Sequence, residues 1–345
     1  MERDEFSLKY INMRTGGITR TPVNNGVYLK TLVRVKGDAR ALFPTTTCLQ
    51  IFDGMEFYSE MKLNIFKKSH PDFERQRENL RKLICSLGVG EAYTTRLIYG
   101  TDEVAVVDGQ GIYLPSTGSS VFIDSYSLFQ ESMQFRADAI ITDRRDVALI
   151  MYAADCPTAF LRDSRTGAIG VLHSMWRGLV IDKEDGEKTS IVKSTIEAME
   201  SNFGTNPEDL EVTVFPCIGH EQFEVGAEVV AQFEEHGLGD YAYYDINGAQ
   251  HILLRNAFME LFKRNGVKAN NIEVTPFTTA DYGLNSLRMA PTNFTTGKIG
   301  MTGSAIYDYA GYSKEEGAIP IRIDYDPDEG KIRSNALNFL IAMRD

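Results

Sequence analysis

Apolar positions along this chain follow two rhythms. Short unbroken apolar runs, VALIMYAA at Val147 to Ala154 and AIGVL at Ala168 to Leu172, suit one buried strand each and are too short for an ordinary helix. Elsewhere apolar residues recur every three or four positions. After Pro71 they fall at Phe73, Leu80, Leu83, Ile84 and Leu87, with Gly88 as the stop; within Ile191 to Phe203 they fall at 192, 196, 199 and 203, with Gly204 as the stop. Both segments predict amphipathic helices. Two more helices are expected at Ala227 to His236 and Gly248 to Asn265. Strands are expected at Glu5 to Asn12, Val27 to Lys36, Leu210 to Phe215 and Glu273 to Phe277, with strand, turn, strand over Arg96 to Val107. Pro320 to Tyr325 and Lys331 to Leu340 read as a C-terminal hairpin about the turn Asp326 to Gly330.

The two apolar runs at 147–154 and 168–172 each lead into a residue able to do chemistry, Cys156 and His173. If they pair as a hairpin centred between Ser164 and Arg165, position 156 faces position 173. Directly opposed side chains have Cβ atoms about 5 Å apart on one face. A thiolate and an imidazole so placed share one metal ion or one proton. Pro157 cannot donate to a ladder, and a one-residue bulge there would turn the cysteine away.

Ala154-Asp155-Cys156-Pro157, then His173-Ser174-Met175-Trp176-Arg177-Gly178, resembles the ADC(L)P and HAGWRG motifs of the laccase-domain family, also called multicopper polyphenol oxidoreductases or zinc-dependent purine nucleoside phosphorylases. The likeness extends from about Ala39 to Tyr307. Leu63-Asn64-Ile65 is similar to the family's LNL and Ala137-Asp138-Ala139 to its ADA. Pro216-Cys217-Ile218-Gly219 is similar to PAIG, and Thr296-Gly297-Lys298 to TGR.

The resemblance implies an α/β chain of α+β type, a layered α-β-β-α sandwich with mixed sheets. It implies one main domain at 39–310, with added strands at 1–38 and a hairpin extension at 311–345 packed on the same domain. It implies a zinc site made from Cys156, His173 and a histidine in a QVHG segment. Here that segment reads Leu97-Ile98-Tyr99-Gly100, so Tyr99 holds the third ligand position. A phenol with pKa near 10 is a poor zinc ligand beside imidazole and thiolate. His220, where the family often carries proline, is a candidate substitute, weighed against an ordinary structural role. Asp155 is expected to orient His173 or to move a proton. Arg177, Arg288, Lys298 and Asn64 are candidates for substrate or phosphate binding; an ion pair with Asp155 is an equal reading for Arg177. Trp176 is expected to pack the turn.

Composition narrows the partners. A net charge of −12 over 345 residues, with no basic run, argues against a nucleic-acid or membrane-surface binder. The start, MERDEF, lacks an apolar signal core, and no apolar run has the length of a membrane span. Cys48, Cys85, Cys156 and Cys217 lie far apart, without zinc-ribbon or disulfide-framework spacing, so reduced cytoplasmic thiols are expected. P-loop and GxGxxG patterns are absent.

Three functions follow. The first, implied by the resemblance, is a zinc-dependent purine nucleoside phosphorylase or adenosine deaminase with a weakened metal site, taking a purine nucleoside and phosphate, as monomer or homodimer. The second is a metal-free hydrolase or amidase with Cys156 as nucleophile and His173 as base. The third is a non-catalytic ligand-binding protein, with Cys156 an inert thiol. A blue-copper site wants His₂Cys, which Tyr99 does not complete.

Overall fold

The structure, a computed structural model, describes residues 17–24, 27–52, 55–60, 89–95, 97, 100–116, 119–121, 135–153, 155–275, 278, 323–326, 331–334 and 338–344. Two large mixed sheets organise it. The first contains β1 (Gly17–Asn24), β2 (Val27–Lys36), β3 (Ala39–Phe52), β4 (Met55–Glu60), β5 (Glu91–Thr94), β10 (Val147–Ala153) and β22 (Asn338–Arg344), in the order β1-β2-β3-β22-β10-β5 with β4 beside β3. The second contains β6 (Val104–Asp108), β7 (Gly111–Leu114), β8 (Ser119–Val121), β9 (Ala139–Thr142), β11 (Thr158–Asp163), β12 (Ile169–His173), β15 (Leu210–Val214) and β19 (Ile272–Val274), in the order β19-β15-β11-β12-β9-β6-β7-β8. Pairs β10–β5, β6–β9 and β15–β19 are parallel, and the remainder within these sheets are antiparallel.

The apolar runs explain the layering. Every residue of β9, β10 and β12 is buried, as expected of strands covered on both faces. One core joins the facing sides of the two sheets, with Leu149 and Met151 from the first and Phe160 and Val171 from the second. A second core lies on the other face of the eight-stranded sheet. There α2 (Ile191–Phe203), α3 (Ala227–Glu235) and α4 (Leu254–Arg264) follow the short α1 (Trp176–Leu179), and residues such as Ile196, Phe233 and Phe258 meet Ile141, Leu161 and Leu172. The boundaries of α2 follow local chemistry: Ser190 Oγ accepts the Lys193 N–H, and Gly204 ends the helix at φ 64°. Sheet, sheet and helical layer make this a mixed α/β fold. The helix expected over Pro71 to Leu87, which would supply a fourth layer, lies outside the described residues.

Three expectations are corrected. The run 147–153 does not pair with 169–173. β10 belongs to the first sheet, and the hairpin is β11 with β12, Thr158 facing His173. The cause is Pro157: the chain leaves the first sheet before it and enters the second after it. The C-terminal segment is more than an added hairpin. β20 (Ile323–Asp326) and β21 (Lys331–Ser334) form one, but β22 continues into the middle of the first sheet between β3 and β10. Its residues Leu340, Ile341, Ala342 and Met343 are fully buried. The helix expected over 248–265 begins only at Leu254. Residues Gln250–Ile252 form β18, which pairs with β16 (Glu224–Val225) and β17 (Ala242–Tyr244). Of the expected N-terminal strands, Val27 to Lys36 is β2, and Glu5 to Asn12 lies outside the described residues. Among the described residues, no helix is long and apolar enough to cross a membrane.

An ion cluster ties the layers at the β2–β3 turn. Asp38 accepts from Arg344 Nε at 2.7 Å, Arg162 Nη2 at 2.9 Å and Arg145 Nη2 at 3.3 Å. Burial works against ionisation of Asp38, but hydrogen bonds from Arg344 and Arg162 outweigh it and hold the carboxyl at about 2. A depressed pKa stabilises the fold above the unfolded value near 3.9, and that contribution is lost as pH falls through about 2. With Asp38 30% exposed, the contribution is discounted for screening. Asp38→Asn is expected to lower unfolding free energy by about 1–2 kcal/mol at pH 7. In urea melts the gap from the parent protein should close between about pH 4 and pH 2; a gap constant with pH would refute the account.

Candidate active site

The hairpin turn is set locally. Asp163 Oδ1 accepts the N–H groups of Arg165 at 2.8 Å and Thr166 at 3.0 Å, and Gly167, at φ 78°, donates to Asp163 O at 2.9 Å. This places the centre of the hairpin one residue later than the sequence pattern suggests, so Thr158 rather than Cys156 lies opposite His173. Side chains alternate faces with a period of two, and a two-residue displacement along the first arm preserves the face. The pairing runs past β11, since Ser174 N–H donates to Pro157 O at 2.9 Å. Cys156 therefore meets His173 diagonally across the ladder, a separation that side chains reach.

His173 is 1% exposed and Cys156 is half-buried, so the cysteine is the more exposed member of the pair. A carboxylate stands beside the ring: Asp138 Oδ1 lies 3.9 Å from His173 Nδ1, an ion-pair distance. Asp138 is itself fully buried, and its Oδ2 accepts backbone N–H groups from Gly100 at 2.9 Å and Thr101 at 3.3 Å. Its backbone oxygen accepts the His173 N–H at 2.8 Å. Burial alone would depress the His173 pKa. The negative charge of the Cys156 thiolate, then hydrogen bonding and charge from Asp138, outweigh burial and raise it to about 9. The three side chains form a sulfur, imidazole, carboxylate series, with the cysteine the most exposed of the three.

Asp138 was visible in the sequence only as part of ADA, with no role attached. Its signal is an acid immediately before a fully apolar strand, where an unpaired carboxylate could not be buried. The loop ahead of it is held tightly: Gly100 has φ 121°, and a Cβ there would lie 2.7 Å from Arg177 Cβ. The residue after position 99 is thus packed against the HxxWRG turn.

The remaining candidates divide. Asp155 is buried beside the cysteine, and its backbone oxygen accepts the Ile218 N–H at 2.8 Å. Cys217 is 1% exposed; burial pushes its thiol up to about 12, with Arg255 opposing and the charges of Cys156 and Asp155 reinforcing. The Arg177 guanidinium lies 4.4 Å from the centre of the Trp176 ring, a cation–π contact on an exposed residue. Trp176 packs against the helical core as expected. His220 is exposed, with its ring edge-on to Tyr243 at 5.9 Å. Tyr243 stacks on His251, which is buried, not solvated, and whose Nδ1 lies 3.1 Å from His220 O. Asn64, Tyr99, Arg288 and Lys298 lie outside the described residues.

Cys156 and His173 are donors of the types zinc accepts, but a catalytic zinc takes three protein ligands. Among the described residues no group of three His, Cys, Asp or Glu side chains is placed to hold a metal ion, His220 included. The remaining position, Tyr99, offers a phenol. This donor set does not fit a tight catalytic zinc.

The profile of a family described as multi-copper polyphenol oxidoreductase laccase matches residues 54–302. A protein of Deinococcus radiodurans named purine nucleoside phosphorylase is 35% identical over 130 residues, covering 36% of this chain and 48% of that protein. A purine nucleoside phosphorylase of Bacteroides thetaiotaomicron is 31% identical over 162 residues, covering 46% and 57%. A protein named adenosine deaminase, from an unknown prokaryotic organism, is 30% identical over 152 residues, covering 41% and 52%. The chain thus spans about half the length of these relatives. The crystal structure of the Bacillus licheniformis hypothetical protein YfiH superposes with TM-score 0.62 at 14% identity, covering 94% of this chain and 98% of that one. YlmD from Geobacillus stearothermophilus gives 0.57 at 14%, covering 98% and 99%. These likenesses show a shared fold.

Proposed function

From the premise that the chain belongs to the multi-copper polyphenol oxidoreductase laccase family, we propose that it is an enzyme of purine nucleosides, centred on Cys156 and His173, with a weakened requirement for metal. The observation that carries this is the half-buried Cys156 sulfur backed by the buried His173 and Asp138. Relatives named for two reactions bear on it, phosphorolysis and adenosine deamination. Deamination needs an activated water, which zinc supplies at neutral pH when three ligands hold it. With a phenol in place of an imidazole at position 99, zinc is held less tightly, so phosphorolysis is the reading favoured.

In phosphorolysis a phosphate oxygen attacks the ribose C1′ as the base departs. The chain contributes charge and a proton. The Cys156–His173 pair holds one mobile proton, which the sulfur can pass to the leaving base. Arg177, exposed and braced on Trp176, is the described cation that can take phosphate; Arg288, Lys298 and Asn64 belong to the same proposal. Asp155 is placed in it as a positioning residue behind the cysteine. A cytoplasmic monomer or homodimer with reduced thiols completes the reading.

The same series of Cys156, His173 and Asp138 favours a second reading, a metal-free hydrolase or amidase with Cys156 as nucleophile. Screening nucleosides with and without phosphate and zinc separates the two. Slow, phosphate-dependent base release from inosine or adenosine, with less than stoichiometric zinc in the purified protein, is expected. Brisk phosphate-independent conversion of adenosine to inosine with one zinc per chain would overturn the proposal. Tyr99→His is expected to raise zinc content toward one per chain. Unchanged metal content would argue against assigning position 99 to the ligand set.

A further inference from the structure

Two free cysteines lie across from one another at the edge of the site. β11 and β15 run antiparallel with Ala159 opposite Val214. The backbone carries that register past the strands: Phe215 N–H donates to Thr158 O at 2.9 Å, and Ile218 N–H to Asp155 O at 2.8 Å. Those two bonds fall three residues apart on each segment, where a regular antiparallel ladder spaces them by two, so the pairing is irregular between them and brackets Cys156 and Pro157 on one side and Pro216 and Cys217 on the other. Prolines lack the N–H a ladder needs, so the pairing opens there and leaves a cysteine on each side.

Opposed residues of an antiparallel pair have Cα atoms about 4.5–5.5 Å apart and side chains on one face. A disulfide spans Cα separations of about 4.4–6.8 Å. The two thiols flank the same break in the pairing. They differ in access: Cys156 is half-buried, whereas Cys217 is 1% exposed.

We propose that Cys156 and Cys217 are an oxidisable pair, in which a hydroperoxide oxidises Cys156 and Cys217 resolves it as a disulfide. The thiolate of Cys156 attacks one oxygen of hydrogen peroxide; the O–O bond breaks, an S–O bond forms, and the departing hydroxide takes a proton to leave as water. The Cys217 sulfur, giving up its proton, attacks the sulfenic sulfur; an S–S bond forms, the S–O bond breaks and a second water leaves. Two thiols and one peroxide become one disulfide and two waters, with two electrons passing from sulfur to oxygen. The product takes Cys156 away from His173 and silences the site. It also shields Cys156 from irreversible oxidation to the sulfinic acid.

The test is peptide mapping by mass spectrometry, without reductant, on the full chain treated with equimolar hydrogen peroxide. The expected product is a Cys156–Cys217 linked peptide, with two of the four thiols lost to a thiol reagent and recovered with dithiothreitol. In Cys217→Ala, checked for an unchanged melting temperature, the link is absent, and Cys156 is expected to be trapped by a sulfenic-acid reagent and to pass to sulfinic acid. The proposal is overturned if wild-type Cys156 stays reduced, oxidises without the link, or links to Cys48 or Cys85. None of these readouts depends on nucleoside turnover, so the proposal stands or fails apart from the function assigned above.

Discussion

Replacing Asp138 by Asn is expected to lower turnover at Cys156 by about 10²- to 10⁴-fold, the scale seen when the acid orienting a catalytic histidine is made neutral. Asparagine keeps an oxygen for the Gly100 and Thr101 N–H groups, which Asp138 Oδ2 now accepts at 2.9 and 3.3 Å. It removes the negative charge 3.9 Å from His173 Nδ1. With one of its two flanking anions gone, His173 falls from about 9 back toward its ordinary range near 6.5. The alkaline limb of the pH profile of turnover should move from near pH 9 to lower pH. A variant that loses activity with an unshifted profile would show that Asp138 acts only as a structural anchor for the 100–101 loop.

His173→Gln should have the other large effect. Without the imidazole, the Cys156 sulfur has no base beside it to take its proton at pH 7. Alkylation by iodoacetamide at that pH is expected to slow by about tenfold or more. Stability supplies an independent sign. His173 is raised from 6.5 to about 9 in the folded chain, so its protonated form stabilises the fold fully below about 6.5, and that contribution is lost as pH rises through about 9. The melting temperatures of parent and His173→Gln should therefore differ most near pH 6 and converge above pH 9. Equal alkylation rates at pH 7, or a gap that widens with pH, would count against the coupling of Cys156 to His173.

Much of this site was readable from residue order, and the part that was not has a definite cause. Cys156 and His173 were recognisable because each follows an apolar run of strand length, and they do meet. The geometry proposed for their meeting was wrong in two respects. The pattern could not show that VALIMYA and IGVLH belong to different sheets, since a buried strand reads the same in either. Nor could it place the turn, because the Asp163 bonds to Arg165 and Thr166 that fix the register are one choice among several that a polar cluster allows. The conclusion survived because the displacement was an even number of residues.

Order along the chain was enough to determine the Ile191–Phe203 helix and its ends, the buried strands, the mixed α/β class, the family motifs and the chemical types gathered at Cys156 and His173. Those are local properties, set by periodicity, caps and glycines that act over a few residues. The tertiary structure alone decided that Asp138 backs the histidine, that β22 fills the gap between β3 and β10, and that Cys217 and Cys156 flank one break in the pairing. Each of these joins segments tens to hundreds of residues apart, and what brings them together is the packing of two sheets on a common core, which no local pattern encodes.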